Sequence, residues 1–220
     1  MRSTKKQYAV IGLGRFGLSV CQELSRAGAQ VLAVDLNEER VKSAIEFSTE
    51  VIVANCTQEE TVAELKLEEY DMVMVAIGSD INASILTTLV LKEAHCKTVW
   101  VKANDKFHAK ILSKVGADRV IMPEKEMGVR IANQMIDKRV KDFHPLGSGL
   151  ALTEVVVSSN LLGKSLSDMS LCSEEDVSVI ALKRGPEVIS SPSHEKSLEI
   201  GDVIIVVGPE ANLAQKLRAL

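Results

Sequence analysis

Six short runs of β-branched and other apolar residues recur along the first 123 positions with helical stretches between them, and this alternation is the strongest constraint on the fold. The runs are YAVIG, VLAVD, VIVAN, MVMVAI, TVWVKA and RVIMP. Each is apolar at nearly every position instead of alternating with polar residues, the pattern of a strand covered on both faces. GLSVCQELSRAG, NEERVKSAIEF, INASILTTLVLKEAH and DKFHAKILSKVG lie between them. The first and last of these close on a glycine, which suits a helix C-terminus. Repeats of this kind predict an α/β fold: a doubly wound, Rossmann-like parallel sheet with helices on both faces.

After RVIMP, residues 124–143 read as one long helix with apolar rows at Met127, Ile131 and Met135, then Ala132, Ile136, Val140 and Phe143. That stripe is wider than one flanking sheet requires. It fits a helix that also packs on a second surface, or equally one with a generous core face. HPLGSGLA, with a proline and two glycines, reads as a linker. Beyond it TEVVV, VSVIALKRG, EVISSPS and GDVIIVVG read as strands joined by turns, with a closing helix over PEANLAQKLRAL. The expected organisation is therefore a larger domain over 1–143 and a smaller, β-rich domain over 144–220.

The first strand runs straight into Gly12, Gly14 and Gly17, a G-x-G-x-x-G at the start of a helix. In such a motif the first glycine permits the tight turn, the second lets a phosphate approach the backbone, and the third lets helix and strand pack closely. The helix N-terminus offers unpaired amides and a positive dipole end to an anion. Taken alone, the glycines also fit a structural turn. The second strand, however, ends on Asp35, where an acid meets ribose hydroxyls and disfavours a 2′-phosphate. Arg15 and Phe16 lie inside the loop, and Arg15 adds a full charge where helix amides already serve two phosphates. Asn55, Cys56 and Thr57 fall at the tip of the third strand, and Ile77, Gly78 and Ser79 at the tip of the fourth. Ligands of open α/β sheets bind outside those carboxyl ends, which makes these residues contact candidates. Ordinary turn chemistry is the alternative.

Charge and cysteine usage exclude several classes. Split at His144, the chain carries 20 basic and 20 acidic residues, then 6 and 10, so neither part has the basic excess of a nucleic-acid binder. The leading MRSTKK reads as a solvated tail, too short for a signal peptide. No apolar run approaches the ~20 residues that span a bilayer, so a soluble protein is expected. Cys21, Cys56, Cys96 and Cys172 are scattered and read as reduced packing thiols. His95, His108, His144 and His194 share no metal-binding spacing, and His108 reads as an exposed helix residue or a ligand contact. GKS at 163–165 lacks the earlier glycine of a phosphate loop, Ser158 standing in its place. The small lobe offers one histidine and the cations Lys183 and Arg184, little from which to build a substrate site. A nucleotide bound as a signal, without turnover, is the first reading; an NAD-linked oxidoreductase of a small substrate is the alternative.

YAVIGLGRFG, LAVDLNEERV, VANCTQEE, VMVAIGSDINASILTTLVLKE, VKANDKFH and GADRVIMPEKEMG together resemble RCK (KTN) domains, the cytosolic nucleotide-sensing domains of bacterial potassium channels and transporters. The tail, with SLEIGDVIIVVG, is similar to their C-terminal companion domain. The resemblance implies a non-enzymatic regulatory subunit that binds ATP or ADP in preference to NAD(H). It further implies dimers assembled into an octameric ring, attached to the inner face of the cell membrane through a potassium-translocating integral membrane partner. On matching positions, phosphates would meet Gly12, Gly14 and Arg15, and the ribose would meet Asp35. Leu36, Asn37, Asn55, Cys56, Ile77, Gly78 and Ser79 would line the cleft, with Lys102, Ala103, Asn104, His108 and Glu124 as later contacts. Glu124 beside a triphosphate makes sense with Mg²⁺ or Ca²⁺ between them. ANCT departs from the acidic GDAT common in such domains.

Overall fold

The structure is a computed structural model and describes residues 6–168, 177–211 and 213 of the 220-residue chain. The tail over residues 1–5, Cys172 and most of the expected C-terminal helix lie outside the described residues. The chain divides into two compact units, Met1–Glu124 and Lys125–Leu220. The composition change in the sequence lies further on, at 143/144.

In the first unit, strands β1 (Gln7–Ile11), β2 (Gln30–Asp35), β3 (Glu50–Val53), β4 (Met72–Val75), β5 (Val99–Lys102) and β6 (Arg119–Ile121) form one sheet. Their order is β3-β2-β1-β4-β5-β6, and the paired strands are all parallel. The uninterrupted apolar runs have their explanation here. Along β1, β2 and β4 successive side chains enter opposite cores: Ala9, Ile11, Leu32, Val34, Val73 and Val75 on one face, Val10, Val31, Ala33 and Met74 on the other. The first face is covered by α3 (Glu59–Glu64), α4 (Ile81–Glu93) and α5 (Lys106–Val115) through Val62, Leu91 and Leu112. The second is covered by α1 (Arg15–Arg26) and α2 (Glu38–Ser43) through Cys21 and Val41. Strand order reverses between β1 and β4, which opens a crevice at their carboxyl ends.

Helix α6 (Pro123–Ile136) begins at the division between the units and is shorter than the helix expected over 124–143. Asp137 ends it. Its Oδ1 accepts the Arg139 amide at 2.9 Å, an Asx-type turn that offers the backbone a partner outside the helical ladder. Val140 and Phe143 are consequently strand residues, buried in the core of the second unit. The expected HPLGSGLA linker is instead the tip of a hairpin between β7 (Val140–Gly147) and β8 (Leu150–Val156). Gly147, Ser148 and Gly149 all have positive φ, at 89°, 53° and 76°, which makes that reversal.

The second unit is an antiparallel sheet of order β10-β9-β11-β8-β7, with β9 (Ser178–Arg184), β10 (Glu187–Ser190) and β11 (Val203–Pro209) as its other strands. Pro145 is tolerated because β7 is an edge strand with register shifts. Asp202, only 2% exposed, takes two hydrogen bonds from Arg184 at 2.9 and 2.7 Å and one from the Glu199 amide at 2.9 Å. Arg184 also pairs with Glu199 at 2.6 Å and donates to the Ser197 carbonyl at 2.9 Å, so its guanidinium is held within this unit.

Candidate nucleotide-binding site

The loop from β1 into α1 shows why each glycine is there. At Gly12, φ is +94°, and an added Cβ would lie 2.9 Å from the Ile77 amide nitrogen. At Gly17 a Cβ would lie 1.9 Å from the Gly12 carbonyl oxygen, so helix and loop are packed as closely as backbone allows. Gly14 differs: φ is −68°, and a Cβ there would meet nothing within 4 Å. The protein's own packing does not require glycine at 14, and the open space above it is where an anion would approach the helix amides.

A cleft of about 660 Å³ opens at this edge of the sheet. It is lined by Gly12, Gly14, Arg15, Phe16, Asp35, Leu36, Asn37, Asn55, Cys56, Ile77, Gly78, Ser79, Lys102 and Glu124 among the expected residues. Gly17, Ala103, Asn104 and His108 do not line it. Gly17 and Ala103 are packing residues, and Asn104 supports the wall by donating from Nδ2 to the Gly78 carbonyl at 2.6 Å. His108 is 2% exposed, not the surface residue its position suggests. Its Nδ1 accepts the Asn104 amide at 3.3 Å, which leaves the ring proton on Nε2, and burial holds its pKa below the ordinary value.

At the β2 tip Asp35 is 8% exposed and already oriented. Oδ2 accepts the Leu13 amide at 2.6 Å and Oδ1 the Asn37 amide at 2.8 Å, with Arg40 Nη1 3.6 Å from Oδ2. Two carboxylate oxygens have lone pairs left for a diol. Asn37 caps α2 by accepting the Arg40 amide at 3.1 Å. Asn55 Oδ1 accepts the Thr57 hydroxyl at 2.8 Å, which fixes the β3 turn. Cys56 is buried, and desolvation pushes its thiol to about 12, so it presents a neutral, weakly polar wall.

The other end of the cleft is charged. Arg15 stands in the first turn of α1, a helix with no acid there and no side-chain cap, so a cation adds to the positive dipole end. Lys102 Nζ lies 2.5 Å from Glu124 Oε1, and the hydrogen bond from Lys102 holds the Glu124 carboxyl below its usual range, with Arg15 adding in the same direction. Two cations and one acid therefore line the same cleft as Gly14. Among the described residues no group of three His, Cys, Asp or Glu side chains could hold a metal, so a cation at Glu124 would need phosphate and water oxygens.

The cleft also includes residues that sequence reasoning passed over: Arg40, Ala54, Asp80, Ala83 and Thr87. Arg40 follows Asp35 by one helical entry and has a sequence signal in hindsight. Thr87 sits mid-helix in INASILTTLVLKE and has none.

Residues 8–123 match the TrkA-N domain and residues 151–220 the TrkA-C domain. The chain is 64% identical to the Ktr system potassium uptake protein A of Vibrio alginolyticus, covering all of both chains. It is 40% identical to the Ktr system potassium uptake protein A of Bacillus subtilis, covering 96% of each. Among solved structures it is similar to the GsuK RCK domain, with a TM-score of 0.54 at 20% identity over 98% of this chain and 47% of that one. Similarity also extends to the GsuK channel bound to NAD, with a TM-score of 0.56 at 20% identity over 98% of this chain and 39% of that one. At that identity the likeness speaks for the fold.

Proposed function

The chain belongs to the family of paired TrkA-N and TrkA-C domains that includes the Ktr potassium uptake proteins, and from that premise we propose that it is the nucleotide-sensing regulatory subunit of a potassium uptake system. Its first unit binds ATP or ADP, and the bound nucleotide sets the activity of a potassium-translocating integral membrane partner at the cytoplasmic face. The relatives at 64% and 40% identity over nearly the whole chain are potassium uptake proteins, which removes the support for the NAD-linked oxidoreductase alternative.

One observation carries the reading of ATP against ADP: Arg15 and the paired Lys102 and Glu124 line the same cleft as the glycine loop, with both cations acting on the Glu124 carboxylate. A diphosphate is served by the helix amides. A third phosphate reaches further and recruits a guanidinium, which binds phosphate oxygens bidentately. When phosphate takes Lys102, Glu124 loses its partner and offers a hard oxygen to Mg²⁺ or Ca²⁺ bridging to the same phosphate. The exposed apolar residues of α6, with Met135 at 77% and Ile136 at 63%, are covered by a second copy, and such dimers close into an octameric ring.

Potassium flux into vesicles carrying the membrane partner tests this reading. With the wild-type protein ATP should activate over ADP, and Arg15→Ala should erase most of that difference, because a ligand shifts an equilibrium only by its differential affinity. An undiminished ATP-over-ADP difference in the variant would refute the role given to Arg15.

A further inference from the structure

Thr87 is fully buried on α4, lines the cleft, and its Oγ1 has no hydrogen-bond partner. Five buried side-chain polar atoms among the described residues lack a partner: Ser48 Oγ, Ser84 Oγ, Thr87 Oγ1, His108 Nε2 and Ser158 Oγ. Of these residues only Thr87 is among those that line the cleft. A helical threonine ordinarily satisfies its hydroxyl on the carbonyl four residues back. Thr88 does so, donating to the Ser84 carbonyl at 2.7 Å, whereas Thr87 does not use Ala83 in this way. A buried hydroxyl without a partner costs free energy, and a fold that keeps one beside a ligand cleft has a use for it.

The place in the cleft says what that use is. The glycine loop and Arg15 take phosphates, and Asp35 takes the ribose. What remains is the wall of Ala54, Cys56, Ile77 and Ala83, on the face of the sheet that α3 and α4 cover. That wall is apolar or weakly polar and suits a flat heterocycle. We infer that Thr87 Oγ1 is the hydrogen-bonding group that holds a ring nitrogen or exocyclic group of the nucleotide base, a contact separate from the phosphate and ribose anchors. The inference rests on the nucleotide reading above. Because the hydroxyl is satisfied only with ligand bound, Thr87 trades stability of the empty protein for affinity.

The trade gives two opposed readouts in full-length protein. Thr87→Val keeps the shape and deletes the hydroxyl. It should raise the melting temperature of the nucleotide-free protein and weaken ATP and ADP alike, by about three- to ten-fold. Inorganic tripolyphosphate, which has no base, should bind both proteins equally in competition calorimetry. Thr87→Ser, which restores the hydroxyl, should recover most of the lost affinity. Unchanged ATP affinity in Thr87→Val, or equal loss of tripolyphosphate binding, overturns the inference. Asp35→Ala distinguishes this from failure of the underlying reading: if wild-type protein binds no ATP, or Asp35→Ala binds as wild type, the nucleotide site itself is refuted.

Discussion

At Gly14 and Gly17 the same residue type serves two purposes, and substitution separates them. Gly17→Ala drives a Cβ to 1.9 Å from the Gly12 carbonyl, a backbone clash that no side chain can relieve. Overpacking of this kind should cost about 1–3 kcal/mol and lower the melting temperature of the whole transition. Gly14→Ala meets nothing and keeps an allowed φ of −68°; the cost is only that of a poorer N-cap, about 0.5–1 kcal/mol, with no clash. The methyl group would, however, stand in the approach of the phosphate. Thermal unfolding and ATP calorimetry on both variants check the pair. Gly14→Ala protein that binds ATP normally would detach the loop from phosphate recognition. Cys56 makes a third case: its thiol, raised to about 12, is a wall and not a nucleophile.

Among helices, α1 and α6 carry the functional load differently. The burden on α1 is electrostatic: its N-terminus has no acid and no side-chain cap, and Arg15 adds a cation there. That on α6 is apolar: Met127, Ile131, Met135 and Ile136 are all exposed in the single chain, and none of its residues is buried. Met135→Glu together with Ile136→Glu should leave the melting temperature of the dilute chain nearly unchanged, because no buried contact is lost. The same pair should reduce self-association, read as a fall in mass by light scattering at micromolar concentration. Assembly that survives both charges would place the interface elsewhere.

For the whole molecule, acid is the informative perturbation. Arg184 depresses the Asp202 carboxyl and Arg130 depresses that of Asp142, both in the second unit, while Lys102 does the same to Glu124 in the first. A carboxylate with a depressed folded pKa binds fewer protons when native, so its contribution is complete above the unfolded value of about 4 and is lost as pH falls through the folded one. Buried His108, whose pKa is lowered, adds a group that takes a proton only on unfolding, so the melting temperature should begin to fall below about pH 6.5 and fall more steeply below about pH 5. Asp202→Asn should melt lower at pH 7, lose less on acidification, and converge with wild type at the acid end. Parallel curves for the two proteins would show that the Arg184 pair does not set the acid response.

The alternation of apolar runs and helices by itself determined the parallel sheet, because a strand covered on both faces cannot afford polar positions. The spacing from Gly12 to Asp35 likewise located the cleft, since both residues must stand at adjacent strand tips. The sequence misled where a local choice competes with periodicity. The stripe from Met127 to Phe143 keeps helical spacing, yet the Asp137 turn diverts its last part into β7, and the strand core of the second unit claims Val140 and Phe143. Side-chain commitments were equally invisible: that Lys102 holds Glu124, that His108 is buried against the Asn104 amide, and that Asp35 already accepts two backbone amides. Thr87 is the extreme case, because nothing in a helical run of apolar residues distinguishes a threonine that bonds its own helix from one buried without a partner. Local pattern decides elements through burial and backbone conformation; partners far apart in the chain are decided only when those elements pack, because a hydrogen bond forms at contact distance and carries no periodicity along the sequence.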